Sequence, residues 1–153
     1  MTINQECDAL QQLAVFRGVD AAKLKLLAFA SQRVELEPGE TLMHRGDPAE
    51  AVYVILGGEA NVFHDADGKR VLLNRVPKGV IVGEMGVLTG RPVSATLEAA
   101  TSLTALRIEK QVFLELMQDV PQIAVAVARE LCRRLEKMSD EVARLEKAVR
   151  GKQ

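Results

Sequence analysis

Residues 83–96 read Gly83-Glu84-Met85-Gly86-Val87-Leu88-Thr89-Gly90-Arg91-Pro92-Val93-Ser94-Ala95-Thr96, which is the pattern of a short anion-binding cassette. A glycine that lets the backbone approach a ligand precedes one carboxylate and an apolar run long enough for a single buried helical turn. The free N–H groups and the dipole of such a turn can hold a phosphate. Gly90 and Pro92 end the turn, and the chain leaves in a strand-like segment.

This cassette resembles the phosphate-binding cassette of cyclic nucleotide-binding domains, the family of the bacterial cAMP receptor protein and the regulatory subunit of protein kinase A. The family pattern is Gly-Glu-Leu-Ala/Gly-Leu, followed a few residues later by Arg-Ser/Ala/Thr-Ala. The residues that match it are Gly83, Glu84, Met85, Gly86, Val87, Ser94 and Ala95. The position of the arginine that should grip the cyclic phosphate holds Val93 instead.

The resemblance extends over nearly the whole chain. Residues 38–40, 42, 46–47, 53–55 and 58 match the β-roll signature of the family. The C-terminal part resembles the dimer helix, through Pro121, Arg133-Arg134-Leu135, Ser139, Val142 and Leu145. In the family this helix closes the ligand pocket: a threonine and a serine reach the purine, and the second arginine pairs with the cassette glutamate. Here Ser139 and Arg134 keep two of these positions, and Met138 replaces the threonine.

Periodicity along the chain indicates the fold class. Helical spacing over residues 5–16, and again from the N-cap candidate Asp20 to residue 30, predicts two short packing helices. From Arg33 the period switches to two, and short strand patterns, including a continuously apolar run at Ala51–Leu56, continue to Ile108 around the cassette. Gly and Pro turns separate them at steady intervals, which favours a closed or double-sheeted antiparallel β architecture. The family resemblance implies a β-roll of about eight strands, of the double-stranded β-helix or jelly-roll type. We therefore expect a mainly β fold with flanking helices (α+β).

Composition is consistent with one soluble globular domain over residues 1–153, of which 48% are hydrophobic and 27% charged, with a formal net charge of −1. Within it we expect N-terminal helices at 1–30, the roll at 31–108 and C-terminal helices at 109–150. The apolar runs are shorter than the ~18 residues that a membrane span needs, and no leader is visible. We therefore expect a cytoplasmic protein without membrane contact.

The sequence lacks the residue groups that catalysis or metal binding requires. Cys7 and Cys132 fit neither a disulfide framework nor a metal knuckle and are interpreted as packing thiols. His44 and His64 are isolated, and no catalytic triad or metal-ligand spacing is present. We therefore expect a protein that is not an enzyme, holds no metal and requires no cofactor.

A heptad stripe runs along the last predicted helix, from Pro121 to about residue 149. Its members are Ala124, Ala128, Leu131, Leu135, Met138, Val142, Leu145 and Val149. Alternating spacings of four and three predict a coiled-coil seam, and hence a parallel homodimer through Leu131, Leu135, Met138, Val142 and Leu145. The alternative is that the stripe packs only on its own roll. Residues beyond 140 should however run past a roll about 25–30 Å across.

The cassette could meet a cyclic nucleotide in several ways. Glu84 could accept the ribose 2′-hydroxyl or serve only as a structural partner of Arg134. Gly83 and Gly86 could give backbone contacts, and Ser94 could bond a phosphate oxygen. Without a guanidinium, a phosphate leaving water faces a penalty of several kcal/mol, of which helix-end N–H groups recover only about 0.3–2 kcal/mol.

Position 93 therefore governs the expected ligand response. Arg91, two residues earlier, is either a substitute cation or a solvated loop residue. The apolar Val93 is also compatible with a pocket closed by side chains or filled by a different ligand. We expect a stand-alone regulatory domain whose binding of cAMP or cGMP is weak or lost. The alternatives are a working sensor that uses Arg91 and Ser94, and a truncated transcription regulator.

Nucleic-acid binding by this chain alone is not expected. Residues 129–153 hold eight Lys or Arg and five Asp or Glu, which is typical of a solvated helix face. The bacterial members of the family carry a winged helix-turn-helix after the long helix, whereas this sequence stops at Gln153. We therefore expect the chain to act through a partner protein.

Overall fold

The N-terminal segment forms two helices separated by a 3₁₀ turn in the computed structural model, which describes residues 2–151. These are α1 (Ile3–Gln11), the 3₁₀ turn (Ala14–Phe16) and α2 (Ala21–Ala30). The single helix expected over residues 5–16 is therefore wrong. Leu10 and Phe16 would lie about 120° apart around an α-helix, so one straight helix would point them in different directions. An extended Leu13 breaks the helix, and both side chains reach the core.

The second predicted helix is confirmed, together with its N-cap. Asp20 accepts a hydrogen bond from the backbone N–H of Ala22 at 3.2 Å. This bond satisfies one of the free donors of the first turn. Leu24, Leu27 and Ala28 are buried, as the apolar spacing predicts.

Eight strands follow, which confirms the predicted number. They are β1 (Gln32–Leu36), β2 (Thr41–Met43), β3 (Ala51–Gly57), β4 (Ala60–Ala66), β5 (Lys69–Val76), β6 (Ile81–Val82), β7 (Thr96–Ala99) and β8 (Leu103–Glu109). They pair in two antiparallel sheets, in the orders β1-β8-β3-β6 and β2-β7-β4-β5. Asp67 and Gly68, at φ 53° and 76°, form the hairpin turn between β4 and β5 that the Asp-Gly pair predicts.

Two apolar cores lie on opposite faces of the β1-β8-β3-β6 sheet. Val52 and Val54 of β3 face the helices and pack in one core with residues of α1, α2 and α5. Ile55 and its half-buried neighbour Tyr53 face the interior of the roll and pack in the other. Because side chains alternate along a strand, the continuous apolar run of β3 serves both cores.

The described residues also form three further helices, α3 (Glu84–Thr89), α4 (Lys110–Asp119) and α5 (Pro121–Arg150). Pro121 is the first residue of α5, where a missing N–H costs nothing. Ile123 and Val127 are buried against the body, whereas every residue from 135 to 150 is exposed. About 24 Å of helix therefore extends away from the roll.

The described residues contain no membrane-spanning helix and no metal cluster, and they show where each cysteine lies. No helix within residues 2–151 combines the length and apolar content that a bilayer crossing needs. The same residues contain no group of three His, Cys, Asp or Glu side chains arranged to hold a metal ion. Cys7 is buried, but Cys132 is exposed, so the packing interpretation is wrong for Cys132 in the single chain.

Candidate functional site

The cassette begins where β6 ends, at a glycine that no other residue could replace without strain. Gly83 has φ 88°, in the left-handed region. A Cβ atom there would lie 3.1 Å from the Ala51 carbonyl oxygen and 3.2 Å from Met43 Cε. This close approach lets the backbone turn directly into α3, whose first residue is Glu84. Gly90, at φ 73°, ends the helix.

Glu84 lies under α5 and is paired with Arg134. Its side chain is only 4% exposed, and Glu84 Oε1 accepts a hydrogen bond from Arg134 Nη1 at 2.5 Å. Arg134 Nη2 also donates to the Ile81 carbonyl oxygen at 3.0 Å. One guanidinium therefore joins the long helix to both β6 and the cassette. The ion pair expected between these two residues is confirmed.

The pair belongs to a small charge network along α5. Arg134 Nε lies 3.4 Å from Glu130 Oε1, and Arg133 Nη2 lies 2.6 Å from the same oxygen. Burial raises the pKa of the Glu84 carboxyl above its ordinary value of 4.5, and the nearby Arg134 charge opposes this rise. The pKa of Glu130 is lowered, chiefly by its hydrogen bond to Arg133. Glu84 is thus the one carboxyl of the network for which loss of hydration dominates.

The segment after α3 carries Val93 into the roll. Val93 N–H donates to the Asp47 carbonyl oxygen at 2.9 Å, and Gly46 N–H donates to the Val93 carbonyl oxygen at 2.9 Å. Val93 and Ala95 pack against the interior core, whereas Ser94 between them is exposed. At the position where the family pattern has a cation, this chain therefore presents an apolar side chain to the roll interior.

Arg91 and Val93 line different spaces. Arg91 borders the outer cleft, an open depression of about 640 Å³ whose walls include Gly86, Pro92 and Lys110. Val93 borders the inner cavity, a space of about 270 Å³ at the roll interior. Among its lining residues are Met43, Asp47, Glu50, Tyr53, Val93 and Arg107. Arg91, one candidate for the missing cation, therefore lines a different space from Val93, although Pro48 and Glu50 line both.

Sequence reasoning missed Arg107. It lies in β8 opposite Tyr53 of β3, and both face the roll with Ala105. The available signal was the alternation Leu103, Ala105, Arg107, which places a charge on an otherwise inward-facing row. Without the register of β8 against β3, that row could not be assigned to the interior.

The remaining predicted site residues are distributed along the outside. Met85 is 55% exposed on α3, and Ser139 is exposed on the extended part of α5 beside Met138. Gly86 packs tightly, since a Cβ atom there would lie 2.7 Å from Ala49 Cβ. The structure therefore brings together Glu84, Arg134 and the cassette backbone, whereas Arg91 lines the outer cleft with Gly86.

One family model and several known proteins are similar in sequence to this chain. The family model described as "Cyclic nucleotide-binding domain" matches residues 33–120. A "CRP-like cAMP-activated global transcriptional regulator" of Mycobacterium tuberculosis is 24% identical over 139 residues, which cover 90% of this chain and 62% of that protein. The "cAMP-activated global transcriptional regulator CRP" of Salmonella typhimurium is 33% identical over 107 residues, 69% of this chain and 51% of that protein.

The solved structures include close matches in fold. The catabolite activator protein of Thermus thermophilus superposes with a TM-score of 0.77 at 25% identity, covering 87% of this chain and 63% of that one. The chain spans between 51% and 63% of the length of these three relatives.

Proposed function

Because the chain belongs to the cyclic nucleotide-binding domain family, we propose that it is a non-catalytic regulatory domain whose binding of cAMP or cGMP is weak or lost. The relatives described above are named as cAMP-activated regulators, which supports a regulatory role. The observation that carries the finer part of the proposal is the apolar Val93 in the inner cavity, at the position of the phosphate-binding arginine.

The energetics favour this reading of the site. A phosphate that leaves water without a paired cation loses several kcal/mol. At position 93 the cassette supplies no cation, and the six-residue helix α3 offers only its backbone donors. The one cation that lines the inner cavity, Arg107, lies on β8, and two carboxylate residues, Asp47 and Glu50, line the same cavity. The one buried carboxylate of the cassette already has Arg134 as its partner. A cyclic nucleotide would therefore gain little at the phosphate and would have to compete with Arg134 for Glu84.

Arg134 gives the domain a way to hold α5 without a ligand. Its guanidinium bonds to Glu84 and to Ile81, so the cassette and the long helix are already fastened together. In the proposed mechanism the position of α5 is set by protein contacts rather than by a nucleotide. Any signal would then pass through the assembly of α5 with a partner.

We propose that α5 assembles as a parallel homodimer. The side chains of Leu135, Met138, Val142 and Leu145 are 63%, 65%, 61% and 53% exposed, and they form one stripe. An isolated helical segment of this length is marginally stable in water, so burial of the stripe against a second copy would stabilise it. Glu141 and Glu146, which would face each other, each pair with an arginine of their own helix, Arg144 and Arg150.

The proposal also covers where the domain acts and what it contacts. Residues 1–153 act as one unit in the cytoplasm, require no cofactor, and work through a partner protein rather than by contacting nucleic acid themselves. A working sensor that uses Arg91 and Ser94 finds less support. Arg91 lines the outer cleft, and the exposed Ser94 lies between two inward-packed neighbours.

Calorimetric titration of the protein with cAMP, cGMP and cyclic dinucleotides tests the proposal. We expect no saturable heat for cAMP or cGMP up to about 1 mM, which corresponds to a binding free energy weaker than about −4 kcal/mol. A dissociation constant for either nucleotide in the low micromolar range or below would contradict it.

A further inference from the structure

Besides Val93, the inner cavity contains groups that the proposed function does not use. It is lined by one cation, Arg107, by the phenol of Tyr53, and by the apolar side chains of Met43 and Val93. Two carboxylates, Asp47 and Glu50, also line it, and both of these residues are exposed, so they form its rim. At about 270 Å³ the cavity suits a ligand smaller than a drug-sized molecule.

Arg107 is held inside the roll with few partners. Its side chain is 23% exposed, and its nearest carboxylate oxygen, on the largely exposed Glu109, lies 3.6 Å from Nη1. That separation exceeds hydrogen-bond distance. Among residues 2–151 neither the Arg107 guanidinium nor the Tyr53 hydroxyl has a hydrogen-bond partner. A guanidinium carries five N–H donors in a planar fork that matches a carboxylate, so the cavity offers a ready carboxylate site.

The rim charges narrow the choice of ligand. A simple anion would be attracted by Arg107 but repelled by Asp47 and Glu50, and a simple cation would experience the reverse. A ligand that carries a carboxylate and an ammonium group satisfies both signs at once. The apolar wall formed by Met43 and Val93 then suits an apolar side chain. An arginine at position 93 would replace part of this wall with a second cation.

We propose that the inner cavity binds a small α-amino acid with an apolar side chain, its carboxylate on Arg107 and its ammonium group on Asp47 and Glu50. This inference rests on the proposed function only in taking the roll to be free of cyclic nucleotide. The two can fail separately. Tight cAMP binding overturns the proposed function, whereas the experiments below do not involve a nucleotide.

Methyl NMR of the unmodified protein gives the first test, with L-valine, L-leucine and L-methionine as probes. Met43 lines the inner cavity, whereas Met85 lies on the cassette surface and is 55% exposed. We expect saturable shifts of the Met43 methyl signal and a constant Met85 signal. A Met43 signal that stays unchanged with all three amino acids would overturn the inference, and this test needs no variant.

Titration calorimetry of matched variants and ligands tests which charged groups form the contacts. Arg107→Gln should weaken amino-acid binding at least tenfold, since a charge-assisted contact is lost. Arg75→Gln is the control, because Arg75 is a surface residue of the roll that pairs with Glu59 outside the cavity. Isovalerate, which has the carboxylate and branched tail of valine without the ammonium group, should bind at least tenfold more weakly than valine. Equal binding by Arg107→Gln, or equal binding of isovalerate, would overturn the assignment.

Discussion

Arg134 Nη1 lies 2.5 Å from Glu84 Oε1, so one ion pair joins the middle of α5 to the first residue of the cassette helix. The two partners differ in their surroundings. The Glu84 side chain is 4% exposed, whereas that of Arg134 is 31% exposed and also contacts Glu130 and Ile81. Loss of Arg134, which would leave the buried Glu84 carboxylate unpaired, should therefore destabilise the fold more than loss of Glu84.

A double-mutant cycle measures this difference. Arg134→Ala leaves a buried carboxylate without its cation and should lower the free energy of unfolding by up to about 3–5 kcal/mol. Glu84→Ala should cost less, since Arg134 keeps Glu130 and the Ile81 carbonyl as partners. The double variant should lose much less than the sum, with a coupling of about 1 kcal/mol or more. Chemical denaturation at pH 7 provides all four values.

Arg144→Ala serves as the control for that cycle. Arg144 pairs with Glu141 on the exposed part of α5, and such surface pairs contribute at most about 1 kcal/mol. Additive losses for Glu84 and Arg134 would show that the pair does not fasten the helix, and Glu84 would then be better explained as a ligand-binding residue.

The pH dependence of stability tests the environment of Glu84. Burial raises the pKa of its carboxyl in the folded protein above the ordinary value of 4.5, so the folded state holds this proton more tightly than the unfolded state. The resulting stabilisation is fully present below pH 4.5 and is lost as the pH rises through the raised pKa. Relative to Glu84→Gln, the natural protein should therefore gain stability as the pH is lowered from 7 towards 4.5.

Thermal or denaturant unfolding of both proteins across that pH range provides the comparison. Because other carboxyls titrate in both proteins, only the difference between them reports on Glu84. The opposite trend, with the natural protein losing stability relative to Glu84→Gln on acidification, would mean that Arg134 outweighs the effect of burial.

Assembly through α5 is tested by two substitutions on the seam. Leu135→Asp with Val142→Asp would place charges in a buried dimer interface and should give monomers that keep the β-roll. Sedimentation should show a dimer for the natural protein and a monomer for this variant. Ala143→Asp, on the exposed face next to the seam, is the control and should remain dimeric. A natural protein that is monomeric at high micromolar concentration would contradict the seam.

Local chemistry explains what the sequence could predict. Glycine, proline and Asp-Gly turns mark the ends of nearly every strand, and Asp20 caps the start of α2. The Glu84–Arg134 pair was reached through the family pattern, since the two residues are 50 positions apart and nothing in their spacing joins them. The broken N-terminal helix was missed because a strict spacing of three drifts around the helix axis by about 60° at each step.

Long-range register explains what the sequence could not predict. Whether Arg107 faces the roll or the helices depends on its pairing with Tyr53, which is 54 positions earlier in the chain. Arg91 and Val93 are only two residues apart, yet Arg91 lines the outer cleft and Val93 lines the inner cavity. These side-chain positions depend on how the two sheets close, and no local sequence pattern predicts them.

Tight cyclic-nucleotide binding should require a cation at position 93, where this chain has Val93. Calorimetric titration of the natural protein and Val93→Arg with cAMP, side by side, measures the effect of that cation, with Val93→Leu as an apolar control. We expect Val93→Arg to bind cAMP more tightly than the natural protein by about 2–4 kcal/mol, the scale of charge-assisted contacts, and Val93→Leu to remain unchanged. Low-micromolar cAMP binding by the natural protein, or no gain from the arginine in a folded variant, would contradict the account.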